Sequence, residues 1–227
     1  MDNTFLSWLD NWQNNLPTTS FSELGKPETI ALVSVDMIVG FCHKGPLASE
    51  QVKNIISPVV DVFEKAHAYG VKHFLMFQDA HKENAEEFGA FPPHCIKGTE
   101  EAENIPELAR LPFASEFITF EKNAWSPAYD TKLNEWISSH PEVTTFILVG
   151  DCTDICVYSA AMHLRMQANA LHIKRTILIP ANAVATYDMS VDKAKEIGAM
   201  PHSAYLLHQI FLYHMALSAI TVLDHIS

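Results

Sequence analysis

Four apolar runs constrain this chain more than any other feature: TIALVSV (29–35), VKHFLMFQ (71–78), TFILVG (145–150) and RTILIP (175–180). Each is rich in β-branched or aromatic residues and reads as a strand, and TFILVG reads as a fully buried parallel one. Such strands need cover on both sides, which a parallel sheet flanked by helices supplies. The intervening segments fit. QVKNIISPVVDVFEKAHAYG (51–70) predicts a helix closed by a C-cap glycine, with Pro58 as a kink or a late start. TKLNEWISSH (131–140), ICVYSAAMHLRMQAN (155–169), 190–197 and 203–217 predict further helices, while EFITFE (116–121) and AITVL (219–223) complete the strands. The expected fold is α/β: a three-layer sandwich with a mainly parallel, doubly wound six-stranded sheet of Rossmann-like topology.

The organisation is simple. Residues 5–12 place Phe5, Leu6, Leu9 and Trp12 at helical spacing, and Pro17 to Pro27 reads as a loop. Residues 1–28 are therefore expected to form an N-terminal helix and linker extension, docked on its own chain or on a neighbouring subunit, and 29–227 a single domain. A formal charge of −12 argues against nucleic acid or an anionic membrane as the main partner. No apolar run approaches the roughly 18 residues of a membrane span. The first residues lack the cationic start and apolar core of an export signal, so a cytoplasmic setting with reduced cysteines is expected.

In open α/β sheets, ligands bind beyond the carboxyl ends of the strands. Asp36 follows the first strand, Asp79 and His81 the second, Lys122 the third, and Cys156 comes six residues after the fourth. Cys156 stands in the first turn of a predicted helix, where free N–H groups and the helix dipole favour a thiolate. Asp36 at a strand end suits a general base once burial raises its pKa. Lys122 beside both is expected to lower the thiol pKa. Asp79-x-His81 points carboxylate and imidazole to one face of an extended segment, and Glu87 and His94 follow on a loop rich in functional groups. Two histidines with two carboxylates suit Zn²⁺, Fe²⁺ or Mn²⁺, with Glu86 and His43 as substitute ligands. A structural zinc on Cys152-x-x-x-Cys156 with Cys42 or Cys95 is the weaker use of those thiols, because the chain has no C-x-x-C pair.

In order and spacing, VDMIVGF (35–41), DAH (79–81), FPPHC-x-x-GT (91–99), K-x-x-x-S (122–126), GDCTDICV (150–157) and PANAVATYD (180–188) resemble the isochorismatase-like cysteine hydrolases, and within them the nicotinamidases. The resemblance runs from Thr29 to Asp188. It implies an Asp36–Lys122–Cys156 triad, a cis bond between Asp151 and Cys152, and an oxyanion hole made by the N–H groups of Cys152 and Cys156. It further implies metal ligands at Asp79, His81, Glu87 and His94, zinc being expected and iron or manganese the alternatives. Phe41, Phe91, Trp125 and Tyr129 match positions that enclose a pyridine ring. The implied activity is conversion of nicotinamide to nicotinate and ammonia through a cysteine thioester, with a small amide as partner in a homo-oligomer. The rivals are a family hydrolase of ureido or N-carbamoyl amides and a catalytically silent ligand-binding member. Isochorismatase activity itself is less favoured, since those members lack the full metal set. Cys152 departs from the Ala or Ser usual at its position, and Pro127 interrupts a segment that is usually unconstrained.

Overall fold

The computed structural model describes residues 3–227. The strands are β1 (Ile30–Val35), β2 (His73–Asp79), β3 (Phe117–Lys122), β4 (Thr145–Asp151), β5 (Thr176–Pro180), β6 (Val184–Ala185) and β7 (Thr221–Leu223). They form one parallel sheet in the order β3-β2-β1-β4-β5-β7, with the two-residue β6 added beside the end of β4. The six expected strands are present. The seventh is too short to produce a periodic signal.

The two-sided apolar pattern of the strands divides the core. Ile30, Leu32, Phe74, Met76, Ile147 and Val149 pack with Val59, Val62, Phe63 and Ala66 of the helix Ile56–Tyr69 on one face. Ala31, Val33, Leu75, Phe77, Phe146 and Leu148 pack on the other against Leu133, Trp136, Val157, Leu164 and Met215 from the helices Leu133–Ser139, Cys156–Ala170 and Ala204–Leu217. Alternate residues of each strand thus serve opposite layers. The helix expected over 51–70 is broken at Ile55 into Glu50–Asn54 and Ile56–Tyr69. Pro58 falls in the first turn of the second piece, where its missing N–H removes no helical bond. Gly70, at φ 106°, closes that helix.

The N-terminal helix Asn3–Asn14 docks on its own chain. Phe5, Trp8 and Trp12 surround Tyr213 edge-on at 5.5, 5.6 and 6.0 Å, and Asp10 accepts from the Tyr205 hydroxyl (2.6 Å) and Gln209 (2.8 Å). No helix among the described residues is long and apolar enough to cross a membrane.

Strand order reverses between β1 and β4, so their carboxyl ends open a crevice at the switch point. Gly150 allows the close approach there: it sits at φ +115°, and a Cβ on it would lie 2.0 Å from the Val35 carbonyl oxygen.

Candidate active site

Register alone brings most of the expected residues together. Asp79 pairs with Lys122 across β2 and β3, Val35 pairs with Phe77, and Asp36 leaves β1 one residue later. Asp36 takes the left-handed conformation (φ 54°), which aspartate tolerates better than most residues. Its N–H donates to Phe77 O at 2.8 Å, and its Oδ1 accepts the Asp79 N–H at 2.7 Å. The Lys122 ammonium lies 2.8 Å from Asp36 Oδ2, contacts Asp79 Oδ1, and stands 3.6 Å from the sulfur of Cys156. All four side chains are buried.

Charge decides the protonation states. Burial opposes the Lys122 ammonium, but Asp36 and Asp79 outweigh it and hold its pKa well above the ordinary value. Burial raises Asp79 too, yet Lys122 and His81 outweigh it and keep this carboxylate below its usual range. Asp36 is pushed up to about 6, first by burial and then by the charge of Asp79, with Lys122 opposing. It remains ionised at neutral pH and can still accept a proton.

Cys156 opens its helix as expected, and its N–H has no acceptor within that helix. Its protonation state differs from the expectation. Burial pushes the thiol pKa up; Lys122 draws it down, but Asp36 and Asp79 oppose that pull, and the result lies well above the ordinary thiol value. Helix dipole and lysine do not make a resting thiolate, because one ammonium is shared by two carboxylates. The Asp151–Cys152 bond is cis, as the resemblance implies.

The second cluster grows from Asp79. Its Oδ2 lies 3.4 Å from His81 Nε2 and 3.9 Å from His94 Nε2. The loop returns to the strand because His81 N–H donates to Cys95 O and Lys97 N–H to His81 O, both at 2.9 Å. His94 Nδ1–H donates to Pro92 O at 2.8 Å, which leaves Nε2 with its lone pair facing Asp79 and His81. Burial holds His94 below the ordinary imidazole value, in the neutral form that ligates. One ligand atom from each of Asp79, His81 and His94 falls within 4.8 Å of the others, and both His81 ring nitrogens are buried without a hydrogen-bond partner. This donor set fits a divalent metal ion. Glu87 Oε1 completes the cluster at 3.9 Å from His81 and 4.0 Å from His94, held by the Trp125 indole N–H at 3.0 Å. Neither substitute ligand joins it: Glu86 is exposed, and His43 pairs with Glu107 at 3.1 Å. The four cysteines are free, and no cluster of three cysteines exists among the described residues.

Asp36, Asp79, Glu87, His94, Cys152 and Cys156 line one pocket of about 480 Å³, counting its open mouth. Phe41, Phe91 and Trp125 form walls of it. Tyr129 does not: it is 71% exposed and lies beyond Trp125 in an outer groove. Pro127 and the left-handed Asp130 (φ 57°) turn that loop toward solvent. Tyr187 takes a wall position that sequence reasoning passed over. It stacks on His202 at 3.8 Å, and His202 pairs with Asp154 at 2.8 Å. The only signal was an aromatic residue inside PANAVATYD, and nothing local announced the return of residue 202.

The strand ends of one parallel sheet thus gather a cysteine, an aspartate and a lysine beside an Asp/His cluster. Residues 30–203 match the isochorismatase domain model, and the chain belongs to that family. It is 28% identical over 207 residues to "Nicotinamidase 1" of Arabidopsis thaliana, covering 84% of this chain and 83% of that one. The pyrazinamidase/nicotinamidase of Streptococcus mutans UA159 is 25% identical with a TM-score of 0.66, covering 86% and 99% of the two chains. N-carbamoylsarcosine amidase of Thermoplasma acidophilum is 26% identical with a TM-score of 0.62, covering 86% and 95%.

Proposed function

We propose that this chain hydrolyses nicotinamide to nicotinate and ammonia, with Cys156 as nucleophile and a divalent metal, zinc first among the candidates, at Asp79, His81, His94 and Glu87. The observation that carries the reading is the double use of Asp79: Oδ1 meets Lys122 while Oδ2 faces both imidazoles. The reacting cysteine and a metal-suited cluster thus share one pocket, which a hydrolase of ureido amides has no need of. The similarity to nicotinamidases supports the same choice.

The chemistry follows from the protonation states. Because the Cys156 thiol rests protonated, its proton must leave as sulfur attacks the carboxamide carbon. Asp36, poised at about 6 and bridged to the sulfur through Lys122, takes it. The N–H groups of Cys152 and Cys156 hold the oxyanion. Asp36 then gives the proton to the departing nitrogen, the C–N bond breaks, and ammonia leaves a thioester on Cys156. In the second half Asp36 takes a proton from water, hydroxide adds to the thioester carbon, and the sulfur recovers the proton as the C–S bond breaks. A bound metal would supply a Lewis-acid anchor for the pyridine nitrogen, orienting the ring. Phe41, Phe91 and Trp125 enclose it. The protein is proposed to work on this small amide as a cytoplasmic homo-oligomer.

Ammonia release from nicotinamide, pyrazinamide and an N-carbamoyl amide, measured with and without chelator, tests the reading. Turnover of the two ring amides that chelation abolishes supports it; a carbamoyl preference insensitive to chelator overturns it. Cys156→Ala should remove ammonia release while leaving the melting temperature within a few degrees, and a variant keeping more than a few per cent of the rate refutes the nucleophile. A catalytically silent protein would turn over none of the three.

A further inference from the structure

Four adjacent strand ends carry ionisable side chains, and the proposed mechanism uses Lys122, Asp79 and Asp36. The fourth, Asp151 at the end of β4, has no part in it. Asp151 is 1% exposed, yet it lines the pocket with Cys152 and Cys156. Its Oδ1 is buried without a hydrogen-bond partner, and Oδ2 accepts only the weak S–H of Cys152, at 3.6 Å. Lys122, the buried cation nearby, is already shared by Asp36 and Asp79. Buried polar atoms nearly always have a partner, and an orphan on the wall of a binding pocket calls for a ligand atom.

We infer that Asp151 is a specificity-determining residue of the pocket, donating a hydrogen bond to an acceptor atom beside the carboxamide of a heteroaromatic substrate. This rests on the amide-hydrolase reading and deepens it. Burial, and after it the charge of Asp36, pushes the Asp151 pKa well above the ordinary carboxylate value, so the group keeps its proton at neutral pH. With Oδ2 accepting from Cys152, that proton is available on Oδ1. Asp151 shares a peptide unit with Cys152, whose N–H is proposed to hold the carboxamide oxygen. Its reach is therefore the carboxamide end of the ligand and not the metal end. In nicotinamide both ring positions flanking the carboxamide are C–H. Pyrazinamide carries a ring nitrogen at one of them, an acceptor that a neutral carboxyl can meet.

The test is the ratio of kcat/KM for pyrazinamide to that for nicotinamide in wild type, Asp151→Leu and Asp151→Asn; comparing ratios cancels the different reactivity of the two rings. Asp151→Leu should lower the ratio about tenfold, the value of one buried hydrogen bond. Asp151→Asn, which still donates, should hold it within about twofold on the same reasoning. If the leucine variant does not fold, infrared difference spectra in a Cys156→Ala background give the answer. The protonated-carboxyl stretch, absent from a Cys156→Ala/Asp151→Asn protein, should shift on binding pyrazinamide and not nicotinamide. Equal losses on both amides, or an unshifted stretch, overturn this inference alone. Ammonia release from neither amide by the wild-type protein overturns the parent reading and this inference with it.

Discussion

Lys122 and Trp125 stand three residues apart, yet they belong to two kinds of structure. Lys122 ends a strand, is fully buried, and is held by carboxylates from two neighbouring strands. Trp125 rides the loop that follows, is 45% exposed, and is tied to the site by a single hydrogen bond to Glu87. The first is placed by sheet register, which tolerates no drift without breaking many backbone hydrogen bonds at once. The second is placed by a loop that local forces can redirect. The candidate catalytic groups sit on the rigid part, whereas Trp125, a wall of the pocket, sits on the pliable part.

The largest expected effect therefore lies at the strand end. Lys122→Met keeps the side-chain volume but leaves Asp36 and Asp79 buried without their cation, a change that costs about 3–5 kcal/mol. For a chain of this size that lowers the melting temperature by roughly 10 °C, and loss of Asp36 as an ionised base should cut ammonia release by about 10²–10⁴-fold. Unchanged thermal unfolding would show that the ion pairs do not organise this edge of the sheet. Trp125→Phe keeps a ring on the pocket wall and removes only the N–H that orients Glu87. Metal affinity, measured by competition with a chelator, should weaken by about tenfold, as for other partners of metal ligands, with little change in melting temperature. If Trp125→Phe destabilises the fold more than Lys122→Met, the contrast between rigid and pliable parts fails.

That contrast also marks what could be read from the sequence. Asp36 and Asp79 were legible because apolar runs reveal where β1 and β2 end, Lys122 because EFITFE (116–121) reads as a strand, and a parallel sheet brings those ends together. Cys156 was legible from its strand, turn and helix. The state of its thiol was not, because it depends on how one ammonium divides itself among groups from two other strands and a helix. Tyr187 was missed for a related reason: its position relies on His202, which reaches it through an antiparallel bridge to Met189. No local periodicity encodes an encounter between two loop residues.

The His202–Asp154 pair behind Tyr187 titrates, and this gives a smaller effect with a definite sign. Burial lowers the His202 pKa, but Asp154 outweighs it and holds the imidazole above its ordinary 6.5. Burial raises Asp154, but His202 and Thr186 outweigh it and hold the carboxyl below 3.8. The histidine's contribution to stability is full below 6.5 and is lost as pH rises through its raised native pKa. The aspartate's contribution is full above 3.8 and is lost as pH falls through its depressed native pKa. The melting-temperature difference between wild type and His202→Gln should thus be greatest between pH 3.8 and 6.5 and shrink on both sides. A difference independent of pH would mean that His202 acts by packing on Tyr187 alone.

The smallest effect is expected at Tyr129, and it is the most direct measure of how far the loop has departed from the family pattern. Its ring neither lines the pocket nor donates a hydrogen bond that the structure shows, and Pro127 fixes the turn that carries it outward. Truncating an exposed side chain away from special features changes stability by no more than about 0.5 kcal/mol. Tyr129→Ala should leave the melting temperature within about 2 °C and kcat/KM for nicotinamide within about twofold of wild type, whereas Phe91→Ala, on the pocket wall, should raise KM severalfold. A Tyr129→Ala variant with a raised KM and an unchanged kcat would mean that the loop folds inward when the ring amide binds, moving Tyr129 from the outer groove onto the ligand. The boundary between the two kinds of structure would then fall at Lys122 itself, with everything after it on the loop adjustable by substrate.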